Sequence, residues 1–531
     1  MSNTEQEPGF WPVFGLLAAL SLVPIVVSTV LPMADWPSHL AMIRILRDLG
    51  DPASPFHPFF AARPGFTPYV GFYAATGVLA RVMPLEAAGR TFLCATVVAF
   101  PLSVLALVRA FGGSRWLALL AFPFAYAFPF HLGLVPYGAG IPFAIATVAL
   151  AVSRMQGRRA GRAWDATAVA LPLLALVMHA HAFAYALGGV AVCAATLKAP
   201  GSVRARTVAP LLPALLLFGF WSVASGLAGG GGSAGPRAEW HFSFDPLSRK
   251  LLALGPNLTD AFRDPVDAEI LLAIAGMLGW AGWVALREPG RSSEDDRARG
   301  GRLTLCAALF AAGGLLGYFA MPGLIERGPL LHMLVYQRFL LPAAIGLLAI
   351  VASRAPPSPT FIWRALVATI VAANSLYLVA QFRRFDREVG NLPALLAPLA
   401  GGSCAVSMVG ASPSRVLRNN LSHTHLADYA TVWHGTIPGA PLAAAAHVPV
   451  ALRDAAGGTV ATWESASLPV LPLPTIRPLS AAQVSFYRFV VAPRGESPSA
   501  LLPAGVPPLV PRGEAGVIAL WENPSGTCQS R

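Results

Sequence analysis

The stretch Trp11-Pro-Val-Phe-Gly-Leu-Leu-Ala-Ala-Leu-Ser-Leu-Val-Pro-Ile-Val-Val-Ser-Thr-Val-Leu31 holds no charged residue, and it leads into Pro32-Met-Ala-Asp35-Trp-Pro-Ser-His39. About 20 apolar residues in a row, wound as a helix, cross a hydrocarbon core of ~30 Å. No basic n-region precedes the run and no small-residue cleavage site follows it, so it reads as a retained anchor and not a removed signal. Further apolar runs lie near 66–83, 91–108, 116–135, 138–153, 163–178, 182–197, 207–227, 268–286, 303–322, 338–353 and 361–381. Several carry Pro and Gly, which membrane helices tolerate where neighbours re-satisfy the freed backbone groups. The pattern predicts a mainly α, polytopic transmembrane bundle of about 11–13 membrane segments.

Composition points the same way. Of 531 residues, 55% are hydrophobic and only 12% charged, about half the charged share of a soluble domain. Such a chain cannot coat a soluble surface, and a disulfide-rich secreted fold, a collagen-like fibre and disorder are excluded by the same figures. The formal charge of +12 comes from short basic clusters between apolar runs, such as Arg154-Met-Gln-Gly-Arg158-Arg159. These are the marks of cytoplasmic loops; no basic patch with interleaved aromatics suggests nucleic acid. The preference for Arg over Lys, with abundant Ala and Gly, suggests a GC-rich bacterial genome.

After Phe385 the apolar pattern stops. Residues 386–531 are rich in Pro, Gly and Ala, with strand-like runs at Cys404–Val409, Gln483–Val491 and Gly516–Trp521. The chain therefore divides into a membrane domain, 1–385, and a soluble α/β domain, 386–531. Loops 154–162, 198–206, 287–302 and 354–364 are basic or richly charged and belong inside, which puts the C-terminal domain outside the cytoplasm. Cys404 and Cys528 bracket that domain, and in an oxidising compartment the two are candidates to pair. Towards the N-terminus two solutions stand. Either loop 32–65 is inside, or it is outside and one segment is re-entrant, with Trp116–Phe130, broken by Pro123 and Pro129, as the natural choice.

Candidate chemistry gathers at span ends. Asp35 stands just past the first span and four residues before His39. A carboxylate there would serve as a general base towards a hydroxyl, or hold a divalent cation such as Mg or Mn through oxygen. It would equally serve as an N-cap, with Pro37 in the first turn of the helix that follows. Histidines recur at span ends, among them His39, His131, His179 and His181; an ionisable group at a span is a functional hypothesis, against which stands simple snorkelling to interfacial water. His179 and His181, two apart, would not share a helix face. Arg338, in Tyr336-Gln-Arg338-Phe339, would grip a phosphate through its planar fork or act as an interfacial anchor. His423, His425 and His434 read as ordinary surface. There is no Walker A loop, dinucleotide fingerprint or HExxH, which speaks against ATP-driven transport and zincin proteolysis.

With the Asp-bearing first loop (Asp35-Trp-Pro-Ser-His39), the Pro-Tyr start of the second run (Phe66-Thr-Pro-Tyr69), many short Pro-interrupted spans and a C-terminal extracytoplasmic domain, the chain resembles the GT-C superfamily of polytopic membrane glycosyltransferases. Many members carry paired acids in the first loop; here Trp36 follows Asp35, and Asp48 and Asp51 are the other acids nearby. The resemblance implies transfer of a sugar from a polyprenyl-phosphate donor to a glycan, lipid or protein acceptor, outside a bacterial inner membrane. It also places loop 32–65 outside, which favours the re-entrant solution and makes Asp35, His131, His179, His181 and Arg338 converge on one face. Asp35 would be the base or metal-orienting carboxylate, Arg338 the phosphate grip, and the histidines, His39 included, substrate-binding groups. The rival class is a non-catalytic transporter or assembly subunit on the same scaffold; a transporter would show matching broken helices in its two halves, and none stand out.

Overall fold

In the computed structural model the described residues are 7, 9–63, 65–158, 161–224, 241–287, 294–327, 330–354, 360–399, 401–410, 412–439, 448–453, 460, 463–465, 474–476, 479–503 and 506–529. Helix α1 (Phe10–Val27) carries the chain to one face of a helical bundle, where α2 (Trp36–Asp48), β1 (Phe60–Ala62) and α3 (Val70–Leu79) follow. Helix α4 (Leu85–Phe111) returns to the other face. Residues 115–131 come back as two 3₁₀ turns, Arg115–Ala121 and Pro123–Tyr126, and the short α5 (Phe128–His131). Helices α6 (Val135–Met155), α7 (Arg162–Met178), α8 (Ala180–Thr196) and α9 (Gly201–Val208) with α10 (Leu212–Ala224) continue the alternation. After β2 (His241–Ser243) and α11 (Leu247–Leu252) come α12 (Val266–Arg287) and α13 (Glu294–Ala320). The strands β3 (Leu324–Arg327) and β4 (Leu330–Met333) pair with β2 and lead to a 3₁₀ turn at Tyr336–Phe339, then α14 (Leu340–Arg354) and α15 (Phe361–Val389).

Eight helices among the described residues are long and apolar enough to cross a membrane, and the chain is a multi-pass membrane protein. The last residues of the predicted 207–227 span lie outside the described residues, as do 159–160, 288–293 and 355–359 of the predicted inner loops. The segment that stops short is not the one broken by proline. Helix α3 has ten residues, about 15 Å of rise and half the hydrocarbon thickness. Residues 115–131 instead run the full length of α1. The Arg115 amide donates to Glu7 at 3.1 Å, Trp116 and Phe122 pack on Phe10 and Phe14, Tyr126 donates to the Ser21 carbonyl, and the His131 ring meets the Pro32 carbonyl at 3.3 Å. Pro123 and Pro129 each sit in the first turn of a new short segment, where a missing N–H is best tolerated. The 3₁₀ stretches rise about 2.0 Å per residue, so the broken path still covers the thickness.

The basic loops meet on one face. Arg154 bonds the Arg206 carbonyl at 2.7 Å and pairs with Asp165, Arg299 reaches Gln156 at 3.3 Å, and Arg354 reaches Thr304 at 3.4 Å. Between the faces, α13 and α14 pack closely. A Cβ on Gly346 would stand 2.6 Å from the Ala311 backbone, and one on Gly314 2.7 Å from the Ala343 amide, the small-residue contact that lets membrane helices approach.

At the opposite face the C-terminal region folds back onto the first loop. After α16 (Leu392–Leu396), β5 (Cys404–Ser407), α17 (Tyr429–His434), β6 (Ile437–Pro438) and β7 (Val450–Leu452) follow, then the pair β8 (Trp463–Ser465) and β9 (Pro474–Ile476). Helix α18 (Ala481–Phe486), β10 (Phe489–Pro493), β11 (Val510–Ala515) and β12 (Ile518–Glu522) complete it. Gln483, predicted as strand, lies in α18. The five-stranded sheet runs β11-β12-β10-β5-β6, with β5 parallel to β10 and β6. A disulfide joins Cys404 to Cys528, Cα to Cα 5.4 Å. Strand β1 of the first loop pairs antiparallel with β7, Phe60 opposite Leu452. Asp386 accepts the Thr29 and Val30 amides at 3.0 and 2.8 Å, and Trp433 donates to Glu86 at 3.0 Å. One buried apolar cluster therefore runs from Trp36, Leu40 and Phe60 into Val406, Tyr429 and Val450.

Candidate functional site

Asp35 precedes α2, but its side chain makes no capping hydrogen bond. The capping reading, so natural from sequence, does not describe this carboxylate. The backbone is instead held from behind: the His131 and Leu132 carbonyls accept the Ala34 and Asp35 amides at 3.1 and 3.0 Å. Gly133, at φ +79°, makes that contact possible, since a Cβ there would stand 2.7 Å from the Asp35 nitrogen and 2.9 Å from that of Trp36. Gly133→Ala is expected to add strain on the order of 1–3 kcal/mol and to displace Asp35. Thermal unfolding and activity of the purified variant should both fall; a variant matching wild type in both would show that Asp35 tolerates the intrusion.

The side chain of Asp35 stays 31% accessible and points at His425, Oδ1 to Nε2 3.7 Å. The other ring nitrogen of His425 lies 3.1 Å from Asp428. Burial pushes the Asp35 carboxyl pKa up, with the charges of His425 and Arg338 pulling partly the other way. For His425, burial acts downward but the Asp428 carboxylate outweighs it, and the net shift is upward. His39, one turn into α2, contacts the Tyr73 hydroxyl at 2.7 Å, and burial drives its pKa down to about 3. Its ring is therefore neutral and joins α2 to α3.

Arg338, in the 3₁₀ turn before α14, is buried. One Nη lies 2.9 Å from His179 Nε2 and 3.5 Å from His181 Nδ1, and the other donates to the Met333 carbonyl at 3.2 Å. A guanidinium only donates, so a ring nitrogen bonds it only in the tautomer that leaves that nitrogen bare; at His179, Nδ1 competes for that tautomer by facing the His181 amide at 3.0 Å. Tyr69 also bonds the guanidinium, and the Tyr137 hydroxyl donates to the Arg338 carbonyl at 2.6 Å. Both histidines reach Arg338 because His179 is no helical residue. At φ −166°, ψ 132° it is the extended joint between α7 and α8, which removes the helical spacing that would have parted them. Among the described residues no carboxylate stands at ion-pair distance from Arg338. Its charge is felt at Asp35, and its contacts are two imidazole rings and a carbonyl.

His131 does not join this group. Its ring packs edge-on against Phe262 and Phe382, and its contribution is the carbonyl behind Ala34. His423 and His425 are buried, not surface. Sequence reasoning passed over His425, Asp428, Tyr73 and Tyr137. The pair His423-Thr-His425 was visible, but nothing local ties it to a loop some 390 positions earlier. The groups around Asp35 are the His425 imidazole and, through its charge, Arg338. Mg and Mn take about six hard oxygen donors, whereas Asp35 faces an imidazole and a guanidinium, and no three metal-ligating side chains cluster among the described residues.

No family model matches the chain, and no curated protein matches it by sequence. Solved structures do. The apo ArnT from Cupriavidus metallidurans superimposes with a TM-score of 0.56 at 11% identity, over 97% of this chain and 98% of that one. The same protein bound to undecaprenyl phosphate gives 0.52 at 13%, over 99% and 100%. The arabinofuranosyltransferase AftD from Mycobacteria gives 0.50 at 16%, over 99% of this chain but 40% of that protein, so the chain spans less than half of AftD. At such identities the likeness is one of fold, and the chain has the fold of the GT-C membrane glycosyltransferases.

Proposed function

We propose that the chain is an integral membrane glycosyltransferase that moves a sugar from a polyprenyl-phosphate donor to a hydroxyl acceptor at the outer face of a bacterial inner membrane. The observation that carries this reading is the buried guanidinium of Arg338, without an ion-pair partner among the described residues, on the same face as the accessible carboxylate of Asp35. In the reaction, the acceptor oxygen forms its bond to the sugar's anomeric carbon while the bond from that carbon to the phosphate oxygen breaks. The acceptor's proton goes to Asp35, and the electron pair leaves with the polyprenyl phosphate. Arg338 offsets the charge that develops there; preorganised donors of this kind are typically worth about 3–4 kcal/mol each. A small apolar cleft lined by Met33, Leu93, Val97, Phe130 and Leu341 lies beside the loop. The undecaprenyl phosphate bound by the structurally similar ArnT supports that donor class, and the basic opposite face supports the orientation.

The test is reconstitution of the full chain in vesicles with undecaprenyl-phosphate-linked sugars and a bacterial envelope extract as acceptor. Release of undecaprenyl phosphate with sugar incorporation is expected. Because Asp35 is turned to the His425 imidazole, incorporation should persist in excess EDTA. Loss of activity restored by Mg or Mn would return a metal to the site, and no turnover of any such donor would sink the proposal.

A further inference from the structure

Two histidines of the C-terminal region, two residues apart, are used differently. His423 stacks on Phe385, ring centroids 5.7 Å apart and 9° from parallel, meets the Ser412 hydroxyl at 3.1 Å and turns Nε2 to Glu388 of α15 at 3.8 Å; none of these partners belongs to the first loop. His425 is 7% accessible and its companion Asp428 3%. Keeping an ionisable pair buried is costly, and the Nε2 of this pair is turned to the one carboxylate at the start of α2. The placement is firm. Helix α17 begins at Tyr429, directly after Asp428, and packs on α2. Arg44 of α2 donates to the Val432 carbonyl at 3.4 Å, the Arg63 amide to the Pro449 carbonyl at 2.8 Å, and the Arg453 amide to the Phe59 carbonyl at 2.9 Å.

We propose that His425, held by Asp428, is a positioning residue for the Asp35 base, orienting its carboxylate and relieving it of the transferred proton, so that the C-terminal region completes the reaction centre. This deepens the transferase reading above and rests on it. The proton balance is simple. With Nδ1–H donated to Asp428, Nε2 has its lone pair towards Asp35. The acceptor's proton passes to Asp35 Oδ1, then to His425 Nε2, leaving an imidazolium between two carboxylates, and from there to water; no electrons change hands. The separation of 3.7 Å exceeds a hydrogen bond and shortens once Asp35 is protonated and can donate; catalytic contacts are commonly long before substrate binds. The groups facing this pair are Arg338 from the turn before α14, Tyr73 from α3 and His39 from α2. Of these, His39 is neutral, its pKa lowered by burial, while the Asp35 carboxyl and the His425 ring are both shifted upward.

The experiment uses the full chain in vesicles with whichever undecaprenyl-phosphate-linked sugar the wild type turns over. His425→Gln, matched to wild type by size-exclusion profile and unfolding temperature, should lose on the order of tenfold or more in kcat with KM little changed. His425→Gly should regain rate on adding imidazole, which a packing residue would not do. Asp428→Asn withdraws the carboxylate that raises the histidine's pKa, so the acid limb of its rate profile should move to lower pH. Wild-type kcat and an unmoved acid limb in His425→Gln, beside an inactive Asp35→Asn, would overturn this proposal while leaving the transferase reading intact. A loss in His425→Gly that imidazole does not repair would reduce His425 to packing. Absence of turnover in the wild type itself would overturn both.

Discussion

Asp35→Asn is expected to lose on the order of a hundredfold or more in transfer rate, the usual contribution of a positioned general base, while keeping or raising the unfolding temperature. Asn is nearly isosteric and caps helices as well as Asp does, and here the side chain caps nothing. Folding therefore has no use for the charge. The sign of the stability effect follows from the carboxyl pKa, which burial raises. A carboxyl more basic in the folded than the unfolded chain prefers its proton when folded, so stability is lost as pH climbs past the unfolded value of about 3.9. Removing the charge removes that cost at neutral pH. Activity and stability should thus move apart, the behaviour of a functional carboxylate held against its preference. Unimpaired transfer by the Asn variant in the reconstituted assay would take Asp35 out of the mechanism.

The same shift sets a pH expectation. The base form of Asp35 is lost as pH falls through its raised pKa, so the acid limb of the rate profile should lie above the range of an ordinary aspartate. The raised pKa of His425 adds a loss in the same direction, since only the neutral ring can take the proton.

What the sequence made legible was whatever hydrophobic period encodes. Span positions along α4, α6, α12, α14 and α15 were evident from apolar runs, and the face carrying the C-terminal region from arginines in the opposite loops. The role of 66–83 was not, because a ten-residue helix and a full span both read as apolar. Nor was the path of 115–131, where proline signals a break but not whether the broken chain turns back. At the site, Asp35 and Arg338 announced themselves by charge at a span end. His179 and His181 were expected at a turn on the face of Arg338, though as two residues that would not share a helix face; the extended backbone at His179 lets both reach the guanidinium. His425 was out of reach for a different reason. Its meaning lies in the pairing of β1 with β7 and the packing of α17 on α2, contacts between segments with no shared local pattern.

Arg338→Lys should lose most donor-dependent activity, on the order of a hundredfold in kcat/KM, the lower end of the scale of removing one preorganised donor from a reaction centre. Lys keeps a formal charge on a flexible stem but not the planar fork. In the structure, one Nη faces His179 and His181 and the other is spent on the Met333 carbonyl. A single ammonium cannot hold these contacts and still present a donor to phosphate. Burial works against it as well, since an ammonium moved out of water without a carboxylate partner sheds its proton, whereas a guanidinium remains charged. The loss should therefore ease at lower pH, where the lysine regains its proton, although the acid limb of Asp35 limits that window from below. Arg338→Ala should lose more and show no such pH relief. If Arg338 were an interfacial anchor, Lys would snorkel equally well, and equal transfer by the Lys variant at equal protein level would assign it that role.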